Sequence, residues 1–344
     1  MNSIAKLFTY IINDRLNVWV EKERKLPESQ AGFRANRGTV DNVFTLNSLI
    51  QMQLRRKSGK LFVLFIDLKS AFSSVEHKLL WDKLNKIGVS AKILNIIKDM
   101  YDKATLQVKV GNDHSNPYKV TRGVLQGEIL SPLLFNLFIS DIEKFLASKG
   151  IRGVSLNHKN ELTMLAYADD MGFVADSYIQ MKKILKALEE YFDLNRLEIS
   201  YLKYKFDKYQ FFYKNEKIEF VSDYIYLGVL FPQSGIYEKT ARYFISRGKR
   251  AIPATLFSIN KANLSNLILI KRLFHSLVSS IVNYAVEIWG IRYMKEIEKL
   301  QNLFIKRLFH LPNNTPGYAL RIELGMESLE FLIFIKILNF IEKN

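Results

Sequence analysis

Three patterns in this 344-residue sequence predict an α+β protein. A continuous apolar run, Leu61-Phe62-Val63-Leu64-Phe65-Ile66, ends at Asp67, which reads as a buried strand with an acid at its C-terminal edge. Apolar residues flank Asp169-Asp170 on both sides within residues 162–174, the pattern of strand, tight turn, strand. Helix-periodic segments alternate with strand signals up to about residue 235 and continue alone beyond it.

The elements follow in order. An amphipathic helix spans about 4–20, a polar stretch with turns at Gly32 and Gly38 spans 21–37, and a second helix covers 43–55. After the 61–66 strand, Ser73-Ser74-Val75-Glu76 matches a capping box. The helix it opens carries Val75, Leu79, Leu80, Leu84 and Ile87 and stops at Gly88. Residues 106–111 and 118–121 suggest a hairpin. Ser131-Pro132 supplies an N-cap and a first-turn proline for a helix running to Gly150. A helix over 177–194 follows the acidic hairpin, and then come three short strands near 206–213, 217–220 and 224–231. Past Gln233-Ser234-Gly235, Leu267, Ile270, Phe274, Leu277, Ile281, Tyr284 and Ile288 alternate spacings of three and four, a helix buried along one stripe. The expected division is therefore 1–235 and 236–344, the second part a helical bundle.

Two adjacent carboxylates repel, which raises the pKa of one of them unless a cation sits between. Asp169-Asp170 thus suits a divalent metal, although Asp is also common in polar turns. Asp67, at a strand end that this order can bring alongside, favours the metal. Composition narrows the choice. There are no cysteines, so disulfides, zinc fingers and thiol catalysis are excluded, and five histidines argue against a histidine-rich site. Hard oxygen ligands remain, hence Mg²⁺ or Mn²⁺. A net charge of +16 and a pI near 9.6 favour a polyanionic partner, nucleic acid or an anionic surface, over a merely basic soluble protein. The N-terminus lacks the pattern of a secretory signal. The longest apolar runs are short or interrupted, by Asp67 and by Lys336. An intracellular protein, neither secreted nor membrane-bound, is expected.

At this point the motifs resemble the reverse transcriptase domain of non-LTR (LINE-type) retrotransposons across nearly the whole chain. Gln30-Ala31-Gly32-Phe33-Arg34 with Arg37-Gly38-Thr39 resembles the fingers motif, and Ile66-Asp67-Leu68-Lys69-Ser70-Ala71-Phe72 the first palm motif. Gly123-Val124-Leu125-Gln126-Gly127 and Leu130-Ser131-Pro132-Leu133-Leu134-Phe135-Asn136 resemble the template and nucleotide grip. Tyr167-Ala168-Asp169-Asp170 resembles the polymerase acid pair, and Tyr226-Leu227-Gly228 the primer grip. Tyr284, Glu287-Ile288-Trp289-Gly290 and Glu323-Leu324-Gly325 match patterns beyond the palm.

The resemblance implies a right-hand polymerase fold, with fingers and ferredoxin-like palm over 1–235 and a helical thumb with its C-terminal extension over 236–344. It implies RNA-directed DNA synthesis with an RNA template, a DNA primer and dNTPs, in the nucleus. Asp67, Asp169 and Asp170 would hold two Mg²⁺ or Mn²⁺ ions about 3.5–4 Å apart across the attacking and leaving oxygens. Phe72 would be the gate beneath the sugar, or else core packing for the next helix. Gln126 and Gly127 would line the template–nucleotide pair. Lys203, or Lys205 in the same Lys-Tyr-Lys stretch, would stand near the leaving pyrophosphate, unless it is simply solvated. Lys6 and Arg34 fall where the family has basic fingers residues near the triphosphate. Leu227 and Gly228 would grip the primer. Arg247, Lys249 and Arg250 suit a nucleic-acid backbone or a solvated face.

Some positions depart from the family. Ser73 stands where Asp is usual, Glu128 where a small or neutral residue is usual, and Ser200 and Tyr204 where Asn and Thr are usual. The sequence opens after the family's Arg-Pro-Ile segment, so an N-terminally truncated piece is expected, without endonuclease or zinc knuckle. A decayed, non-catalytic nucleic-acid-binding remnant is the alternative.

Overall fold

The computed structural model describes residues 3–57, 59–125, 127–157, 160–205 and 209–343. Two compact units divide the chain, Met1–Ser222 and Asp223–Asn344.

The first unit is built on a sheet of five strands among the described residues: β1 (Phe62–Leu68), β2 (Met164–Tyr167), β3 (Asp170–Ala175), β4 (Ile199–Lys205) and β5 (Glu219–Phe220), in the order β5-β4-β1-β3-β2. β1 runs antiparallel to both β3 and β4, and β2 and β3 form a hairpin. Side chains alternate across a strand, and this decides which face carries chemistry. Phe62, Leu64, Ile66 and Leu68 of β1 enter the main core with Met171, Phe173 and Ala175 of β3 and Met164 and Ala166 of β2. Helices His77–Lys86, Ser131–Phe138 and Tyr178–Leu194 supply the other side of that core. Asp67 is out of phase with this set and points to the opposite face.

The acidic hairpin forms where expected, while several helices differ from the sequence reading. The expected capping box is absent: Ala71–Ser74 is a separate turn, and the helix begins at His77 behind Glu76. The Glu76 carboxylate pairs instead with Arg196 at 2.6 Å, and the His77 ring bonds the Gly123 carbonyl at 2.8 Å. A helix at Ala91–Asp102 escaped the sequence reading. The expected helix to Gly150 breaks into Ser131–Phe138 and Ile142–Ser148, and Leu130 takes the N-cap position expected of Ser131. The Ser131 hydroxyl donates to Glu128 at 3.1 Å instead. β4 also escaped the reading, and of the strand expected near 206–213 residues 206–208 lie outside the described residues. Gln126 and the side chain of Lys205 lie outside them too.

In the second unit, the segment expected to be one strand near 224–231 is a hairpin of β6 (Asp223–Tyr226) and β7 (Val229–Pro232). It belongs with the helices that follow, because the Thr240 hydroxyl donates to the Leu230 carbonyl at 2.6 Å and Lys239 pairs with Asp223 at 2.8 Å. The unit therefore starts before 235. The apolar stripe over 267–288 is not one straight helix. Leu267–Phe274 passes into a π-helical turn at His275–Ser279, and Ala285 reverses the chain at a φ of 49°. Phe244, Phe274, Trp289 and Phe304 fill this unit's core, with Phe244 stacked on Trp289.

Candidate active site

Two strand ends bring the three acids together. Ile66 of β1 pairs with Met171 of β3, so Asp67 lies beside Asp170, while Tyr167 pairs with Asp170 across a two-residue loop, Ala168-Asp169. A β-bulge between Asp67 and Leu68 follows the acid on β1. Burial raises the Asp169 carboxyl above the usual range, and repulsion from Asp67 adds to it. Asp170 meets solvent but is crowded by protein atoms. That partial desolvation raises it first, then Asp169 and Asp67. The three carboxylates thus act on one another, although no set of metal-type groups among the described residues closes tightly enough to enclose an ion unaided. The donor set, oxygen only and carrying up to three negative charges, fits a hard divalent cation, which would relieve this repulsion.

The acid loop is held from behind. Ala168 has a φ of 56°, a conformation that costs a non-glycine residue about 1–3 kcal/mol. The buried Gln30 carboxamide brackets it, accepting from the Ala168 N–H at 2.8 Å and donating to its carbonyl at 3.3 Å. Residues 29–31 cover the free edge of β2: Ala166 N–H donates to the Ser29 carbonyl, and the Ala31 N–H donates to the Ala166 carbonyl, each at 2.9 Å. The Asn42 amide donates to that same Ala166 carbonyl at 2.9 Å.

The other expected residues fall into separate places. Lys203 lies opposite Phe65 on β4, which puts it on the Asp67 face, and it pairs with Glu219 at 3.5 Å. The Phe72 ring is half-buried and stacks on Phe135 with centroids 5.0 Å apart. Lys6 and Gly127 line one cavity of about 660 Å³ with Thr9, Ser73, Arg122 and Glu128. Gly127 has a φ of 82° and open space where a Cβ would sit, so it serves backbone conformation rather than close approach. The Glu128 side chain is buried, its carboxyl raised by burial and bonded to Ser131, so it does not present a free anion. Arg34 is engaged by the fold: its guanidinium grips Glu21 at 2.8 and 2.7 Å and the carbonyls of Pro27 and Gln30 at 3.0 and 3.1 Å. The pairing lowers the Glu21 carboxyl pKa and raises that of Arg34.

In the second unit, Leu227 and Gly228 are the two residues of the β6–β7 turn, with φ of 47° and 78°, the mirror-image geometry hairpins favour. The Tyr284 hydroxyl donates to the Leu227 carbonyl at 2.7 Å, and a Cβ on Gly228 would stand 3.2 Å from its ring. Among the described residues, no helix is long and apolar enough to cross a membrane.

Gln30 and Asn136 lie inside motifs that assign neither a role, and Asn42 lies in no motif. The available signal was polarity out of place: Asn42 sits beside Val43 on a helix whose Val43, Leu46 and Leu49 are buried.

A five-stranded palm-like sheet with three acids at adjoining strand ends is the arrangement of a nucleotide-polymerising enzyme. Residues 1–229 match the family described as reverse transcriptase (RNA-dependent DNA polymerase), and the chain belongs to that family. Its mixed helix-and-sheet content is that of the right-hand polymerase fold. Its relatives are polymerases of non-LTR retrotransposons. It is 29% identical over 191 residues to a probable RNA-directed DNA polymerase from transposon BS of Drosophila melanogaster, covering 56% of this chain and 20% of that protein. It is 25% identical over 336 residues to the Pol polyprotein of the type-1 element R2 of Popillia japonica, covering 92% of this chain and 45% of the relative. The RNA-directed DNA polymerase of the jockey element of Drosophila funebris is 22% identical over 89% of this chain and 34% of its own length. The chain thus spans less than half of each of these relatives. Among solved structures, a telomerase from Candida albicans in complex with a fragment of telomeric RNA matches 93% of this chain and 57% of its own, at a TM-score of 0.49 and 16% identity. The reverse transcriptase family generally works with divalent metal ions.

Proposed function

We propose that this chain catalyses RNA-directed DNA synthesis, adding dNTPs to a DNA primer 3′-hydroxyl on an RNA template. The observation that carries the reading is the meeting of Asp67, at the end of β1, with Asp169 and Asp170 at the tip of the β2–β3 hairpin. These three would hold Mg²⁺ or Mn²⁺. When bound, such ions supply charge neutralisation on the triphosphate and a lower pKa for the primer hydroxyl. Phosphoryl transfer asks the protein mainly for positioning and electrostatics, so three acids on rigid strand ends suffice for the chemistry. Phe72, backed by Phe135, would exclude a ribose 2′-hydroxyl. Gln126 and Gly127 would contact the template–nucleotide pair, and Lys6, on the same cavity as Gly127, would meet the triphosphate. Arg34 serves this reading only indirectly, through the loop it holds. Lys203, on the acid face, would meet the departing pyrophosphate. Leu227-Gly228 would steady the primer end, with the first unit as fingers and palm and the second, the β6–β7 hairpin and the helices after it, as thumb and extension. By its resemblance to this family, the chain would act in the nucleus.

Primer extension on an RNA template tests the reading, with the Asp169→Ala, Asp170→Ala double variant as control. Wild type should extend and the double variant should not. Equal, background extension by both, with salt-sensitive binding to RNA–DNA hybrid retained, would instead identify a non-catalytic remnant.

A further inference from the structure

We infer that Gln30 is a positioning residue for the aspartate pair: its carboxamide sets the Ala168-Asp169 loop, and the 29–34 segment is part of the catalytic apparatus. The inference rests on the reading of Asp169 and Asp170 as catalytic acids. Gln30 is 138 residues from Ala168 in sequence and only 2% exposed. Its Oε1 accepts two N–H groups, from Ala168 at 2.8 Å and from Gly32 at 2.9 Å, while its Nε2 donates to the Ala168 carbonyl at 3.3 Å. One side chain thus satisfies both backbone groups of the residue with the strained φ, the residue immediately before Asp169. Among side chains of this length, only a carboxamide both accepts and donates at its end without charge. A carboxylate here would face the Ala168 carbonyl and add an anion behind two aspartates.

The clamp is itself fixed. Gly32 lies so close to the loop that a Cβ would come within 2.3 Å of the Ala168 nitrogen. The Asn136 amide, from helix Ser131–Phe138, donates to the Gly32 carbonyl at 2.7 Å. Three stretches far apart in sequence, at 30–32, 136 and 166–168, therefore form one buried hydrogen-bonded unit whose outer end is the acid pair. Such support matters because small misplacements of catalytic groups cost rate steeply, on the order of a hundredfold for about 1 Å.

The test replaces Gln30 with Met, of similar length but unable to make these bonds, and with Asn, which keeps the amide one carbon short. Each full-length variant is compared with wild type by thermal melting, by steady-state extension, and by Mn²⁺ binding followed through the free-ion electron paramagnetic resonance signal. The expected result for Gln30→Met is a kcat lower by at least about tenfold with KM for dNTP within about threefold, and Mn²⁺ affinity weakened by a similar factor. Gln30→Asn should show a smaller loss of the same kind, and it carries the comparison if Gln30→Met does not fold. A purely structural role would lower the melting temperature and leave kcat and Mn²⁺ affinity of the folded fraction at wild-type values, which would overturn the inference. A wild type that neither extends primer nor binds Mn²⁺ would overturn the site reading and this inference with it. A wild type that does both, beside folded variants that match it, would overturn this inference alone.

Discussion

Asp169 and Asp170 titrate above the ordinary aspartate value of 3.8 because the fold desolvates both and sets both against Asp67, and Asp170 also against Asp169. A carboxyl whose folded pKa exceeds its unfolded pKa binds more protons when folded, so stability falls as pH rises through that window, from 3.8 to the raised value. Above the window the metal-free protein carries the full penalty. Asp169→Asn should therefore raise the melting temperature of metal-free protein at about pH 7, and the gain should vanish below pH 3.8, while extension is lost. Melting curves at the two pH values check both signs. Gly32→Ala should do the opposite, destabilising by about 1–3 kcal/mol or more in urea titration, because its methyl meets the Ala168 backbone rather than a movable side chain. At this scale the sequence already makes the acids candidates, since paired aspartates between two apolar runs repel each other unless a cation lies between them. It could not announce how they are held. Gln30 and Asn136 are ordinary polar residues until the chain is folded, and their partners are backbone groups more than a hundred positions away.

Among elements, the β6–β7 turn shows how a short structure is pinned by a distant side chain. Leucine at a φ of 47° is unfavourable, and the Tyr284 hydroxyl compensates by binding its carbonyl. Tyr284→Phe should cost about 0.5–1.5 kcal/mol in the second unit, read as a shift in the urea midpoint at unchanged slope. Strands β1, β2 and β3 were legible because continuous apolar runs are strong signals. Helix starts were less so. Ser73-Ser74-Val75-Glu76 has the composition of a capping box, yet the Val75 and Phe72 carbonyls accept from the Gly123 and Val124 N–H groups, each at 2.7 Å, and Glu76 is drawn to Arg196. Tertiary contacts decided against local propensity. Likewise β4 carries Ser, two Lys and two Tyr, an unremarkable string until it pairs along β1.

For the whole molecule, a net charge of +16 predicts binding to RNA–DNA hybrid governed by counterion release. Affinity should fall at least about tenfold between about 50 and 200 mM salt, linearly on logarithmic axes, as neutralising two or more phosphates requires. A fluorescence anisotropy titration at several salt concentrations checks it, and a flat response would count against a nucleic-acid partner. The bond from Gln30 to Ala168 has one more consequence, for the order of assembly. It closes a loop of 138 residues, and such long-range closure comes late in folding. As the ribosome delivers this chain, the N-terminal clamp waits unpaired until the hairpin of β2 and β3 has emerged. The support behind the acid loop is thus completed only after the loop itself has been made.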